Sequence, residues 1–174
     1  MYSVNVPVPQ AVRSLAADLR PALSDFERIR QRPTLLCKRL PAENRREYLD
    51  AERRARRALD GLPPFAVRID GIDVFEDPPS GTAPVVYLSV TSPGLDEAHR
   101  RLVDEFGAID GLEGEDFVPH VTLARQYDGG PVYREDPTDR LRRKEIDPIE
   151  WDATELQFYD ASYGERIDSV SLPA

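Results

Sequence analysis

The chain has 174 residues, of which 40% are hydrophobic and 32% are charged, a composition typical of a globular protein rather than a disordered one. Its one cysteine, Cys37, excludes an internal disulfide, and two histidines cannot complete a Cys/His zinc site, so we expect no metal and no cofactor. The sequence lacks both a membrane-length apolar run and a signal-peptide pattern, and it therefore predicts one cytoplasmic domain over residues 1–174 with no membrane partner.

The charge balance is acidic and poor in lysine. Acidic residues outnumber basic residues by 32 to 23, giving a net charge of -9, and only Lys38 and Lys144 are lysines. Such a chain suits a salt-rich, halophile-like cytoplasm, where screening weakens self-repulsion; stability unchanged by molar KCl would contradict this hypothesis. A broad DNA-coating surface is disfavoured, whereas a small phosphate pocket is compatible with this charge.

The predicted elements alternate between strands and helices. Period-two alternation and short apolar runs predict strands at 2–8, 32–38, 65–75, 85–90, 117–123, 151–159 and 166–172. Helical spacing predicts helices at 12–23, interrupted by Pro21, at 42–59 and at 95–106. A charged loop at 126–148 is expected to hold a short helix at 138–145 capped by Thr138. This order predicts an α+β fold with two similar halves.

A similar tetrapeptide follows the first helix of each half. One half carries Arg32-Pro33-Thr34-Leu35 and the other carries His120-Val121-Thr122-Leu123. Residues i and i+2 of a strand share a face, which pairs Arg32 with Thr34 and His120 with Thr122. By the same alternation, Lys38 is expected on the face of Thr34, where its charge would help to bind phosphate.

These residue types together suit phosphate chemistry. A neutral imidazole transfers protons near pH 7, a threonine hydroxyl donates to phosphoryl oxygens, and arginine binds two of them at once. H-x-T by itself is a weak signal, because threonine is common in strands. Its partial repetition at equivalent places favours the functional interpretation.

The segment 117–125, with its string Pro-His-Val-Thr-Leu-Ala-Arg, resembles the second signature of the two-histidine (2H) phosphoesterases. The branch it resembles contains the 2'-5' RNA ligases and RNA 2',3'-cyclic phosphodiesterases. This resemblance implies a bilobal α+β fold in which two H-x-T motifs face each other across a central groove, with helices outside. It also implies opening of 2',3'-cyclic phosphates, or joining of RNA ends, without a metal.

Site roles follow from the resemblance, residue by residue. His120 matches a catalytic histidine, while Thr122 and Thr34 match the phosphate-binding threonines. Arg125 matches a basic position after the second motif, although strand alternation alone would direct it away from the groove. Arg32 stands where the first histidine is expected, and arginine, always protonated, cannot act as a base. Two hypotheses remain, each for a monomer: a slow or altered phosphodiesterase, or 2'-5' RNA ligase-like enzyme, acting on RNA ends or cyclic nucleotides, or a nucleotide-binding or RNA-phosphate-binding module without turnover.

Other residues carry weaker expectations. Tyr127 and Tyr133 could stack on a base or anchor the charged loop. His99 is expected at a helix edge, without a catalytic role. The arginines of the 42–59 helix alternate with acids, which predicts a solvated face. A fold that only mediates protein contacts is a third possibility.

Overall fold

The structure is a computed structural model, and it describes residues 1–127 and 136–173. Its strands are β1 (Tyr2–Val6), β2 (Arg28–Ile29), β3 (Leu35–Arg39), β4 (Phe65–Phe75), β5 (Val85–Thr91), β6 (His120–Arg125), β7 (Ile149–Ala153), β8 (Glu155–Asp160) and β9 (Glu165–Ser171). Its α-helices are α1 (Gln10–Leu19), α2 (Arg45–Ala58), α3 (Pro93–Phe106) and α4 (Pro137–Arg142). No helix within the described ranges is both long enough and apolar enough to cross a bilayer.

The strands form one curled antiparallel sheet made of two four-stranded halves. The strand order is β7-β4-β5-β6-β3-β1-β8-β9. The short strand β2 is not part of this order and pairs with β6. The halves meet at β6 and β3, which are in register at the pair Leu35 and Val121. The predicted α+β fold with two halves around a groove is confirmed, and its sheet is antiparallel.

The helices pack on the sheet through short apolar stripes. In α2, Asn44 accepts from the backbone N–H of Glu47 while the Glu47 carboxylate accepts from the N–H of Glu43, a reciprocal cap that fixes the helix start. In α3, the Ser92 hydroxyl accepts from the N–H of Leu95. The buried apolar residues of α1, α2 and α3 are Val12, Ala16, Leu19, Tyr48, Ala51, Ala55, Leu95, Ala98 and Leu102.

Several predicted boundaries differ from the observed ones. The strand predicted at 32–38 begins only at Leu35, because Pro33 has no N–H for a ladder bond. The strand predicted at 151–159 is two strands separated by Thr154, of which β7 pairs with β4 and β8 with β1. Period-two alternation cannot detect this one-residue break, since both pieces keep the pattern.

The charged loop also differs from expectation where it is described. Its short helix ends at Arg142 and is capped by Asp136, whose carboxylate accepts from the N–H of Thr138. The prediction that Thr138 is the cap is therefore wrong, because Pro137 takes the first helical position. Residues 128–135, including Tyr133, lie outside the described part of the chain.

Candidate functional site

A cavity of about 630 Å³ lies at the seam between the two halves of the sheet. We call it the central cavity. Its lining includes His120 and Thr122 from β6, together with Thr34 and Arg32 from the segment that precedes β3. The structure thus brings the four residues of the two predicted motifs to one cavity, whose volume lies in the range of small-molecule sites.

His120 is held in one orientation by its surroundings. Its Nδ1 lies 2.7 Å from the carbonyl oxygen of Val118, and because a carbonyl only accepts, Nδ1 carries the proton. The ring also meets Phe75 and Tyr87 edge-on, with centroids 5.2 and 5.4 Å away. In the neutral ring, Nε2 therefore keeps its lone pair for a ligand in the cavity.

The environment of His120 favours its neutral form. Burial lowers the pKa of the imidazole, and the nearby guanidiniums of Arg125, Arg39 and Arg30 lower that pKa further, while the bond to Val118 opposes the shift. At neutral pH, His120 is consequently unprotonated at Nε2. This is the state that a general base requires.

Four arginines concentrate positive charge in the central cavity. Arg30, Arg32, Arg39 and Arg125 all line the central cavity. Burial, followed by the charges of Arg30, Arg39 and Arg28, lowers the pKa of Arg125. Within residues 1–127 and 136–173, none of these four arginines forms an ion pair, whereas many of the other arginines do. Uncompensated guanidiniums in an acidic protein are the groups expected to bind phosphate.

Arg125 reaches the cavity because β6 contains a bulge. Thr122 is in register with Tyr87, but the next pair is Ala124 with Val86, which leaves Leu123 as an extra residue. The bulge reverses the alternation, so Arg125 shares the cavity side with Thr122. The expectation that alternation turns Arg125 away from the groove is therefore wrong.

A second bulge, in β3, moves Lys38 off the cavity face. Leu36 is in register with Asn5, whereas Lys38 rather than Cys37 is in register with Val4. Arg39 then lines the cavity, and Lys38 is buried with its Nζ 2.7 Å from Glu113 Oε2. The predicted placement of Lys38 beside Thr34 is wrong, and sequence analysis missed Arg39 because a bulge has no signature in simple alternation.

The tyrosines are also distributed differently from the prediction. Tyr127 packs its ring against buried Phe26, with centroids 5.8 Å apart, and does not line the central cavity. Its role in base stacking stays a prediction. Tyr159 of β8 lines the cavity instead, and its strand position alone gave no signal of this.

The second histidine, His99, is a buried structural residue rather than one at a helix edge. Its Nε2 accepts from the N–H of Gly114 at 2.9 Å, so Nδ1 donates to the carbonyl of Cys37 at 2.7 Å. Its ring stacks on Phe117 with centroids 3.7 Å apart, and burial lowers its pKa. Both ring nitrogens are therefore occupied, and His99 cannot replace the imidazole that is missing from the first motif.

The acidic residues that line the cavity are engaged as well. Glu113 accepts from Lys38 and from the N–H groups of Arg39 and Ile109, and Asp116 accepts from the N–H of Gly111. Over the described ranges, no group of three His, Cys, Asp or Glu side chains is placed to hold a metal ion. His120 is therefore the group in the cavity best placed to transfer a proton.

Solved structures share this architecture at low sequence identity. The chain aligns with LigT of E. coli complexed with 3'-AMP at a TM-score of 0.69 and 16% identity, covering 99% of this chain and 98% of that one. A structure titled phosphoesterase gives a TM-score of 0.70 at 17% identity, with coverage of 99% and 98%. TT0787 of Thermus thermophilus gives 0.66 at 19% identity, with coverage of 98% and 97%.

The sequence itself matches a family. Residues 7–165 match the family described as the 2'-5' RNA ligase superfamily, whereas none of the curated proteins matches. The matched residues include both motifs and strands β3, β4, β5, β6 and β8, each of which contributes to the lining of the central cavity. The chain therefore belongs to the 2'-5' RNA ligase superfamily.

Proposed function

We propose that this protein is a phosphodiesterase-type enzyme acting on RNA ends or on 2',3'-cyclic nucleotides, with a single imidazole as its proton-transfer group. The observation that carries the proposal is the position of His120, which keeps Nε2 unprotonated in a cavity lined by four arginines that lack acidic partners among the described residues. The reaction uses no metal, and we expect a cytoplasmic monomer.

The geometry supports a specific sequence of proton transfers. A cyclic phosphate bound by Arg39 and Arg125 places its phosphorus near His120. Nε2 takes a proton from a water molecule as that water attacks phosphorus, and the bond to one ribose oxygen breaks. The guanidiniums stabilise the charge that develops on the phosphoryl oxygens. The leaving oxygen takes up a proton from the imidazolium or from solvent, giving a phosphomonoester and a ribose hydroxyl.

Arg32, at the position of the first motif's histidine, predicts slow turnover. Arg32 cannot deliver a proton to the leaving oxygen, and loss of one proton-transfer group costs about 10²–10⁴ in rate. Its guanidinium donates to the carbonyl of Gly164 at 3.4 Å and is exposed. Arg32 is therefore suited to bind charge rather than to move protons.

The same observation favours a second candidate, a nucleotide-binding or RNA-phosphate-binding module without turnover. LigT of E. coli has been crystallised with 3'-AMP, with ATP and with NADP+. These complexes support a nucleotide as the ligand in both candidate functions. The two candidates differ only in whether His120 alone sustains hydrolysis.

A paired assay with 2',3'-cyclic AMP separates the candidates. Calorimetry measures binding, and chromatography measures the phosphomonoester formed by the parent and by His120→Ala. Product from the parent above the His120→Ala level supports the enzyme. Binding by both proteins with equal product supports the module, and failure of every nucleotide to bind or to raise Tm supports the protein-contact alternative.

A further inference from the structure

A second cavity of about 400 Å³ adjoins the central cavity. We call it the side cavity. Arg32, Thr34 and Tyr159 line both cavities, so the two are continuous around these side chains. A ligand bound in the central cavity can therefore extend past Arg32 without crossing the core.

The side cavity is lined by basic side chains. Arg13, Arg20 and Arg32 line it, and neither Asp nor Glu is among the described residues that do so. The amides of Asn5 and Gln157 add further hydrogen-bonding groups. In a chain with a net charge of -9, a cavity lined by three arginines and no carboxylate favours an anionic ligand.

The two arginines that are unique to the side cavity have no charged partner within the described ranges. Arg13 donates to Gln10 Oε1 and Arg20 donates to the carbonyl of Gln31, each at 3.4 Å. Both partners are neutral and both arginines are exposed. By contrast, Arg100 and Arg101 on α3 are paired with Glu97. The guanidiniums of the side cavity are therefore available to an incoming phosphate.

The backbone aligns these two side chains along the groove. Arg13 lies in α1, and Arg20 opens the 3-10 turn that continues α1. Seven residues correspond to about two helical turns, so the two side chains project from one side roughly 10 Å apart along the axis. Arg13 and Arg20 line only the side cavity, whereas Arg32 lines the side cavity and also the central cavity that contains His120.

We infer that the side cavity binds a further phosphate of an RNA chain whose cyclic terminal phosphate occupies the central cavity. This inference rests on the proposed function and specifies its substrate as an oligonucleotide rather than a free mononucleotide. Arg32, which lines both cavities, then lies between the terminal phosphate and the next one. In this position its guanidinium can bind both phosphates of an extended substrate, whereas an imidazole would act only on the terminal phosphate.

The test compares two ligands in a His120→Ala background, which prevents turnover. One ligand is 2',3'-cyclic AMP, and the other is an RNA trinucleotide ending in a 2',3'-cyclic phosphate. The test variant is Arg13→Gln/Arg20→Gln. The matched control is Arg46→Gln/Arg57→Gln, which removes the same charge from exposed positions of α2 that line neither cavity.

We expect the trinucleotide to bind at least tenfold more tightly than 2',3'-cyclic AMP. Arg13→Gln/Arg20→Gln should remove this difference and leave the Kd of 2',3'-cyclic AMP unchanged, while the control changes neither. The slope of log affinity against log salt should become shallower by about 0.7 for each phosphate that the variant no longer neutralises.

Three results would overturn the inference. These are equal affinity of the two ligands in the parent, an equal loss for both ligands in the test variant, or an equal loss of trinucleotide binding in the control. If neither ligand binds, the proposed function itself fails. If 2',3'-cyclic AMP with an added 5'-phosphate matches the trinucleotide, a bis-phosphorylated nucleotide replaces the RNA chain as the ligand.

Discussion

Lys38 and Glu113 form a buried ion pair in the wall of the central cavity, with Nζ 2.7 Å from Oε2 and side chains only 3% and 2% exposed. The same carboxylate accepts from the N–H groups of Arg39 and Ile109. The pair therefore connects the cavity strand β3 to the segment after α3, which forms another cavity wall. The ammonium group of Lys38 is therefore paired with Glu113, and Lys38 is not among the residues that line the cavity.

Breaking this pair should destabilise the fold. Lys38→Met leaves the Glu113 charge buried without its partner, and we expect a loss of about 3–5 kcal/mol in the free energy of unfolding. Urea denaturation measures it. Lys38→Met/Glu113→Gln should recover more than half of the loss, because the amide keeps one acceptor oxygen and removes the charge.

The control for that prediction is an exposed pair. Arg53→Met breaks the ion pair with Asp50, whose side chains are 66% and 58% exposed, and should cost less than about 1 kcal/mol. Equal losses in Lys38→Met and Arg53→Met would show that the buried pair does not tie β3 to the cavity wall.

Gly81 allows Arg125 to take its place in the site. A Cβ on Gly81 would lie 2.7 Å from Arg125 Nη1, and the same nitrogen donates to the Ser80 carbonyl at 3.3 Å. Gly81→Ala should therefore displace the guanidinium and weaken binding of 2',3'-cyclic AMP about tenfold, the loss expected for one charge-assisted hydrogen bond. Calorimetry measures the change.

The matched control is Gly61→Ala. Gly61 also has a positive φ, of 72° against 81° at Gly81, but no atom lies within 4 Å of its Cβ position. Both variants should lose about 1–2 kcal/mol of stability from the left-handed backbone. Only Gly81→Ala should lose affinity, and an equal loss of affinity in both variants contradicts the assignment of Arg125.

The pKa of His120 should respond to its cationic neighbours. Burial lowers this pKa below 6.5, and Arg125 and Arg39 lower it further because they oppose protonation. In Arg39→Gln one opposing charge is gone, so the pKa should rise toward 6.5. An NMR titration of the imidazole measures the change whether or not the protein turns over substrate.

If the proposed reaction runs, the acid limb of kcat/KM should follow the same shift. Activity needs the unprotonated ring, so the limb should lie below pH 6.5 in the parent and move upward in Arg39→Gln. Arg46→Gln, an exposed substitution on α2, should leave both the pKa and the limb in place. A downward shift in Arg39→Gln would show that Arg39 does not act on His120 through its charge.

Apolar periodicity is a local signal, and it was sufficient to predict most of the strands and helices. The convergence of Thr34 with His120 and Thr122 was predicted from the resemblance to the 2H phosphoesterases, because no local signal brings residues so far apart in the chain together. The sequence did not show that Arg39 rather than Lys38 faces the cavity, or that Arg125 faces it. Each orientation depends on a bulge that reverses the two faces of a strand.

Long-range contacts explain what else could not be predicted. Arg13 and Arg20 belong to a helix that gave no chemical signal, and they line the side cavity only because the fold brings Arg32 beside them. The two ring nitrogens of His99 are hydrogen-bonded to the backbone of Gly114 and Cys37, which lie 15 and 62 residues away in the chain. The contact with Cys37 of β3 forms only once the two halves of the sheet have come together.

The central claim is that the site has one imidazole where a faster enzyme would have two, and Arg32→His tests it most directly. We predict that hydrolysis of 2',3'-cyclic AMP at saturating substrate rises by about 10²–10⁴ in Arg32→His. Arg32→Gln, which removes the cation without adding an imidazole, should give no such rise. A rate in Arg32→His no higher than in Arg32→Gln, with the nucleotide still bound, would contradict the account.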